Sequence, residues 1–281
     1  MEKINNLLGS LFKKRFKGPR YDRKYIADPQ DIQKILDSLL EEMERAYYRA
    51  NNTQFVDIKT LYFDTPSLSF FQDHFSSKNE RYKFRIRWYN PDGNSEHQSC
   101  LLELKIKNLS GQTDKIRVHL DPDNLARVIS GKTVSVTKDF VKANPIHLSM
   151  LKIWWRVHQI NKVISRFNPR PVCSTSFRRY AFESSSGDLR LTVDTGLSYE
   201  ASCSVEENVI NDIQNEKFWR TAKLRLHGYC TGQAIVEVKH FGNIPKWLSN
   251  LIWERACPQP FSKYCYAIIA TFLETTGAIA K

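Results

Sequence analysis

The chain of 281 residues lacks the short signatures by which common enzyme classes are read. It has no GxxxxGK[ST] loop, no GxGxxG after a strand, no GxSxG elbow and no HExxH pair. P-loop hydrolysis, dinucleotide-dependent redox chemistry, serine-hydrolase chemistry and zincin proteolysis are thereby set aside. Its six cysteines (Cys100, Cys173, Cys203, Cys230, Cys257, Cys265) form no CxxC pair, and neither Cys nor His clusters at ligand spacing. Zinc binding is therefore not expected, and reduced thiols are. None of the seven histidines pairs with a Cys or Ser as a nucleophile would need, and His240 faces away from its neighbour Lys239. No run of about 18 apolar residues is present, so no spanning helix is expected. Without a recognisable secretory signal peptide, the expected compartment is the cytoplasm. Internal repeats, low-complexity tracts and an interdomain linker are also missing.

Acid is scarce as well. Asp and Glu total 30 against 42 Lys and Arg, a net charge of +12. Such an excess calls for a polyanionic partner: nucleic acid, an anionic membrane or a phosphate-rich molecule. The hydrophobic fraction of 41% suffices for a globular core.

The positive charge is patterned. Lys83-Phe84-Arg85-Ile86-Arg87-Trp88 and Glu103-Leu104-Lys105-Ile106-Lys107 alternate charged and apolar residues. Successive strand side chains point to opposite faces, so each segment has one apolar and one cationic face. Further strands are expected near 21–26, 57–64, 115–120, 172–183, 189–194, 198–203 and 234–241, mostly as an antiparallel meander. Helices are expected near 29–47, 66–74, 122–130, 136–143, 147–167, 245–255 and 260–275. Parity gathers Lys83, Arg85, Arg87, Lys105, Lys107, Lys115, Arg117, Arg190 and Lys239 on one face, with Glu103 and Glu237 as its acids. A solvated sheet face usually mixes signs, because like charges directly opposite one another destabilise a sheet. An enclosed face would need a phosphate-rich ligand, and closing the sheet would turn the cations into a tunnel lining. Glu237 fits either a divalent metal or an ion pair with Lys239 or a nearby Arg. An enclosed tunnel leaves no room for specific nucleic-acid binding.

Residues 1–19 place Ile4, Leu7, Leu8, Leu11 and Phe12 at helical spacing ahead of Lys13, Lys14, Arg15 and Lys17. This basic amphipathic segment suits either docking on its own domain or peripheral contact with an anionic membrane or a membrane protein. Residues 20–281 are read as a single domain. The acidic stretch at Glu206, Glu207, Asp212 and Glu216 reads as a solvated loop.

Eight short segments occur in an order that resembles a known family: Tyr21–Tyr25, Tyr62–Thr65, Arg85–Tyr89, Glu103–Lys105, Arg179–Phe182, Arg190–Asp194, Glu237–Lys239 and Phe261–Tyr264. Together they resemble the VTC domain, the polyphosphate polymerase domain of the vacuolar transporter chaperone complex, over about residues 20–275. The resemblance implies an α+β fold of the triphosphate tunnel metalloenzyme (CYTH-like) kind: an antiparallel β-barrel tunnel with helices packed outside. It implies transfer of the terminal phosphoryl group of ATP to polyphosphate, with Mn²⁺ or Mg²⁺. Pattern and resemblance together assign Lys24, Arg85, Arg87, Lys105, Arg179, Arg190, Lys239 and Lys263 to the catalytic set. Lys83, Lys107, Lys115, Arg117 and Ser262 are assigned to substrate binding, and Glu237 to the metal. Pro260 stands where a family lysine would extend the phosphate grip, and His74 where a further tunnel arginine is expected. Without the membrane helices and phosphate-sensing domain of the eukaryotic subunits, the chain resembles a stand-alone, bacterial-type member. Related hydrolytic tunnel enzymes carry ExExK, where this chain has Asp22-Arg23-Lys24. The alternatives are a metal-dependent inorganic or nucleoside triphosphatase and a non-catalytic polyanion-binding module.

Overall fold

The computed structural model describes residues 20–45, 55–76, 80–90, 99–144, 149–201, 232–259 and 261–275. The amphipathic segment 1–19, the acidic stretch 206–216, Cys203, Cys230 and Pro260 lie outside them. The strands are β1 (Arg20–Ala27), β2 (Glu44–Arg45), β3 (Val56–Asp64), β4 (Arg81–Asn90), β5 (Ser99–Lys107), β6 (Thr113–His119), β7 (Arg170–Glu183), β8 (Leu189–Ala201), β9 (Ala234–Phe241) and β10 (Ala256–Pro258). The helices are α1 (Pro29–Glu42), α2 (Ser69–Ser76), α3 (Pro122–Ile129), α4 (Lys138–Ala143), α5 (Met150–Phe167), α6 (Lys246–Arg255) and α7 (Lys263–Thr275).

The fold is α+β around a large antiparallel sheet, ordered β10-β1-β9-β8-β7-β3-β4-β5-β6, with β2 on β7. The barrel expected from the resemblance does not appear in this pairing. The order is an open path, and among the described residues no ladder joins β6 to β10.

The chain divides into two compact units. The first comprises Met1–Val56, Arg178–Leu197 and Gly228–Phe261; the second comprises Asp57–Phe177, Ser198–His227 and Ser262–Lys281. In the first, β1 pairs with β9 and β9 with β8, in registers that put Tyr25, Val236, Val238, Leu191 and Val193 in one core. Helices α1 and α6 cover that side with Ile35, Leu36, Leu39, Leu248 and Ile252. In the second, the apolar faces of β4, β5 and β6 contribute Phe84, Ile86, Leu102, Leu104, Ile116 and Val118. Against them pack Val128 of α3, Phe140 of α4, and Ile153, Val157, Ile160, Val163 and Ile164 of α5. The alternation of each strand is thus resolved as charge on one side and a helix-covered core on the other.

Local chemistry sets the helix ends. Asp121, Thr137 and Ser149 cap α3, α4 and α5 through side-chain oxygens that accept from backbone N–H groups. Asn168 ends α5 in the left-handed conformation at φ 45°. The helix expected to reach residue 47 stops at Glu42, because Met43 turns extended and Glu44–Arg45 pair with β7. The two strands expected at 189–194 and 198–203 are one, β8, which continues through Gly196 at φ 63°. Among the described residues Cys100, Cys173, Cys257 and Cys265 are free thiols.

A buried polar clamp ties the start of α7 to β3 and α2 within the second unit. Asp64, at the end of β3, accepts from the backbone N–H groups of Thr65 (2.6 Å), Phe70 (2.9 Å) and Phe71 (2.9 Å), and from the Tyr264 hydroxyl. Burial pushes the Asp64 carboxyl up to about 6, against the lowering pull of these hydrogen bonds. A folded value raised above the unfolded one favours the protonated acid. Its contribution to stability is therefore full below pH 3.8 and lost as pH rises through about 6. The stability of the wild type relative to Asp64→Asn is expected to fall across that window in urea titrations at stepped pH. A constant difference would show that Asp64 does not titrate there.

Candidate phosphate-binding faces

In the second unit the register builds a dense cationic face. Arg85, Glu103 and Arg117 lie directly opposite one another across β4, β5 and β6, and Lys83, Lys105 and Lys115 form the next row. Arg81 and Lys107 form a further pair, and Arg87 lies across from Leu101. Eight cations (Arg81, Lys83, Arg85, Arg87, Lys105, Lys107, Lys115, Arg117) thus share a face with one acid, Glu103, a surplus of seven positive charges.

Glu103 is 1% exposed and binds four of those cations. Arg85 donates to Oε2 through Nε at 2.7 Å and reaches it through Nη2 at 2.6 Å. Arg117 Nε donates to Oε1 at 2.5 Å, Lys115 Nζ lies 2.9 Å from Oε1, and Arg87 Nη1 lies 3.7 Å from Oε2. Burial alone would raise this carboxyl, but Arg85, Arg87, Lys115 and Arg117 outweigh it and hold the group far below the usual carboxylate range. Arg87 is buried and further held by Thr60 Oγ1 and the Tyr89 hydroxyl, each at 3.3 Å. Lys105, Lys115 and Arg117 lie at the exposed rim. Partial burial, with Arg117 and Arg85 nearby, pulls Lys115 down to about 8 despite its bond to Glu103. Burial is the larger cause, and the neighbouring guanidinium groups add to it.

Ser262 joins this face: Lys83 Nζ donates to its Oγ at 3.1 Å. The Asp64–Tyr264 clamp positions it, since Tyr264 is two residues further on. Lys263 turns elsewhere, with Nζ 4.5 Å from the centroid of the Phe177 ring. His74 lies in α2, against Phe75.

The first unit has a different balance. Lys24 faces Glu237 across β1 and β9, Asp22 faces Lys239, and Arg190 faces Lys239 from β8. Lys239 Nζ lies 3.0 Å from Glu237 Oε1 and 3.9 Å from Asp22 Oδ2. Arg179 donates twice to Asp194, at 2.6 Å each, a bidentate pair. Lys24 Nζ donates to the Phe261 carbonyl at 2.7 Å, and Arg190 is exposed. Here Lys24, Arg179, Arg190 and Lys239 meet Asp22, Asp194 and Glu237, so charge is nearly matched. Burial would raise Glu237, but Lys239 and Lys24 outweigh it and hold it well below its ordinary value. Burial first, and Glu237 second, raise Asp22.

The ion pair of Glu237 with Lys239, weighed in the sequence against a metal role, is therefore present. Among the described residues no group of three or more His, Cys, Asp or Glu gathers as a metal site. The donor set at Glu237 is two carboxylates, its own and that of Asp22. This fits a hard divalent ion that takes its remaining ligands from phosphate oxygens and water. Sequence reasoning missed Asp194 as the partner of Arg179 and passed over Asp22. Strand parity carried the signal for Asp22, which shares a face with Lys24. It also missed the anchoring role of Glu103, whose signal was its place as the lone acid among cations.

Comparison with known proteins adds a family assignment. The VTC domain model matches residues 19–272. No match is found among curated proteins. A chain in the structure of the Schizosaccharomyces pombe Mediator head module is 7% identical, with 91% of this chain and 94% of that chain covered at a TM-score of 0.33.

Removing the charge of Glu103 leaves its cations facing one another. Breaking a buried ion pair costs about 3–5 kcal/mol, so Glu103→Gln is expected to lower the melting temperature by roughly 5–15 °C. Inorganic tripolyphosphate is expected to raise the melting temperature of the variant more than that of the wild type. Equal shifts in calorimetry would show that Glu103 is not the internal counter-charge of this face.

Proposed function

The chain belongs to the VTC domain family, which is associated with polyphosphate polymerase activity, and from that premise we propose that it transfers the terminal phosphoryl group of ATP to a polyphosphate chain held along a Lys/Arg-lined strand face. The observation that carries this reading is the face of β4, β5 and β6, where eight cations share one buried carboxylate. Eight cations against one acid on one face of three adjacent strands suit a ligand of linked phosphates. Phosphoryl transfer asks chiefly for positioning and stabilisation of charge, so a site without a side-chain nucleophile suits it. The acceptor is then the terminal oxygen of the growing chain.

In this reading Arg85, Arg87 and Arg117 are held in place by Glu103 and present their remaining N–H groups to phosphate oxygens. Lys83, Lys105, Lys107 and Lys115 supply mobile positive charge, and Ser262 adds a hydroxyl beside Lys83. Lys24, Arg190 and Lys239 complete the proposed set, with Arg179 standing behind it in its pair with Asp194 and Lys263 turned toward Phe177. Glu237, with Asp22 beside it, would hold Mn²⁺ or Mg²⁺, which when bound neutralises charge on phosphate oxygens.

A second reading is a metal-dependent triphosphatase. The pairing of Asp22 with Glu237 favours it, because two carboxylates rather than one stand on that strand face. Purified protein incubated with ATP and Mn²⁺ separates the readings. Long polyphosphate with ADP is the expected product. Free phosphate without polymer would transfer the assignment to hydrolysis, and tight tripolyphosphate binding without turnover would leave a polyanion-binding module.

Proton linkage tests the face directly. A bound anion stabilises the charged form of Lys115 and lifts its value from about 8 toward 10.5. Tripolyphosphate binding at about pH 8.5 is therefore expected to take up protons, and affinity is expected to weaken as pH rises through that region. Calorimetry in buffers of different ionisation enthalpy measures the uptake. Lys115→Met is expected to reduce it, and an unchanged uptake would remove Lys115 from the site.

A further inference from the structure

Helix α5 has two apolar faces, and the core accounts for only one. Ile153, Val157, Ile160, Val163 and Ile164 are buried against β4, β5 and β6. On the outward side the first two turns present Leu151 at 82% exposure, Trp155 at 56%, Trp154 at 55% and Met150 at 47%. Met150 and Trp154 are four residues apart, as are Leu151 and Trp155, so the four form one patch. Large aromatic side chains left together in water mark an interaction surface.

The charge of the helix indicates what covers the patch. α5 contains Lys152, Arg156, Lys162 and Arg166, and no Asp or Glu. Lys152 is exposed next to Leu151 and Trp155, and Lys162 and Arg166 continue the same outward face, whereas half-buried Arg156 lies on the other flank and donates from Nη1 to the Arg117 carbonyl at 3.0 Å. Tryptophan has an apolar ring and one polar N–H, which suits the boundary between headgroups and acyl chains. Lysine and arginine stems lie along apolar surface while their charged ends reach toward phosphate. The combination is that of an interfacial helix face.

We propose that the outward face of α5, through Met150, Leu151, Trp154 and Trp155 with Lys152, Lys162 and Arg166, docks on an anionic lipid bilayer. The partner chemistry is a negatively charged headgroup layer over hydrocarbon. The face lies on the opposite side of the sheet from the cationic face of β4, β5 and β6, so lipid phosphates engage it without occupying the proposed substrate site. The inference stands independently of the catalytic reading.

Full-length protein is expected to co-sediment at low salt with vesicles containing phosphatidylglycerol, and far less with phosphatidylcholine alone. The Leu151→Ser/Trp154→Ser/Trp155→Ser variant is expected to lose at least about ten-fold in vesicle affinity, with its tripolyphosphate-induced thermal shift retained. Trp154→Phe/Trp155→Phe is expected to keep binding yet lose most quenching of tryptophan emission by brominated lipid, which checks the contact without relying on the polar variant. Three results would overturn the proposal. One is the absence of wild-type binding to anionic vesicles. Another is vesicle binding that the serine variant leaves unchanged, which would assign contact to another surface such as residues 1–19. The third is a wild-type dimer in light scattering that the serine variant converts to monomer, which would give the patch to a second copy.

Discussion

The buried carboxylate of Glu103 is the constraint on which the cationic face depends. Three arginines and a lysine converge on its two oxygens, and without it the strands beneath would bring cations together with no internal compensation. Its position matters as much as its charge. Standing between Arg85 and Arg117 in register, it fixes the guanidinium groups and still leaves a large surplus of charge for a ligand. A second acid added to this face would lower its surplus only from seven to six.

The two units use the same strand architecture with different electrostatics. Around Glu237, acids and bases nearly match, and the bidentate Arg179–Asp194 pair commits one arginine to the protein itself. Around Glu103 the cations dominate. The Asp64–Tyr264 clamp contributes by holding Ser262 where Lys83 can reach it.

Much of this was legible in the sequence because a strand has a period of two. The alternation in Lys83–Trp88 and Glu103–Lys107 assigned each side chain to a face, and the register agrees with that assignment. The family resemblance rested on short segments that the structure places in the charged faces and in the clamp. Other features were not legible, for physical reasons. Arg179 reads as a phosphate ligand until Asp194 is found beside it, and nothing in strand parity announces a partner on another strand. Lys263 has its ammonium over Phe177, a cation–π contact that spacing does not encode. Sheet closure depends on which edges pair, and the pairing runs as an open path from β10 to β6. The end of α1 at Glu42 was missed because a favourable helical pattern gave way to pairing with β7.

The row of Lys83, Lys105 and Lys115 brings three ammonium groups into register on neighbouring strands. Like charges directly opposite one another repel, so an anion bound among them would favour the folded chain. Mass action would then tie the measured robustness of the fold to the composition of the solution around it. A melting curve in sulfate or phosphate would in that case combine occupancy of the row with the intrinsic strength of the core.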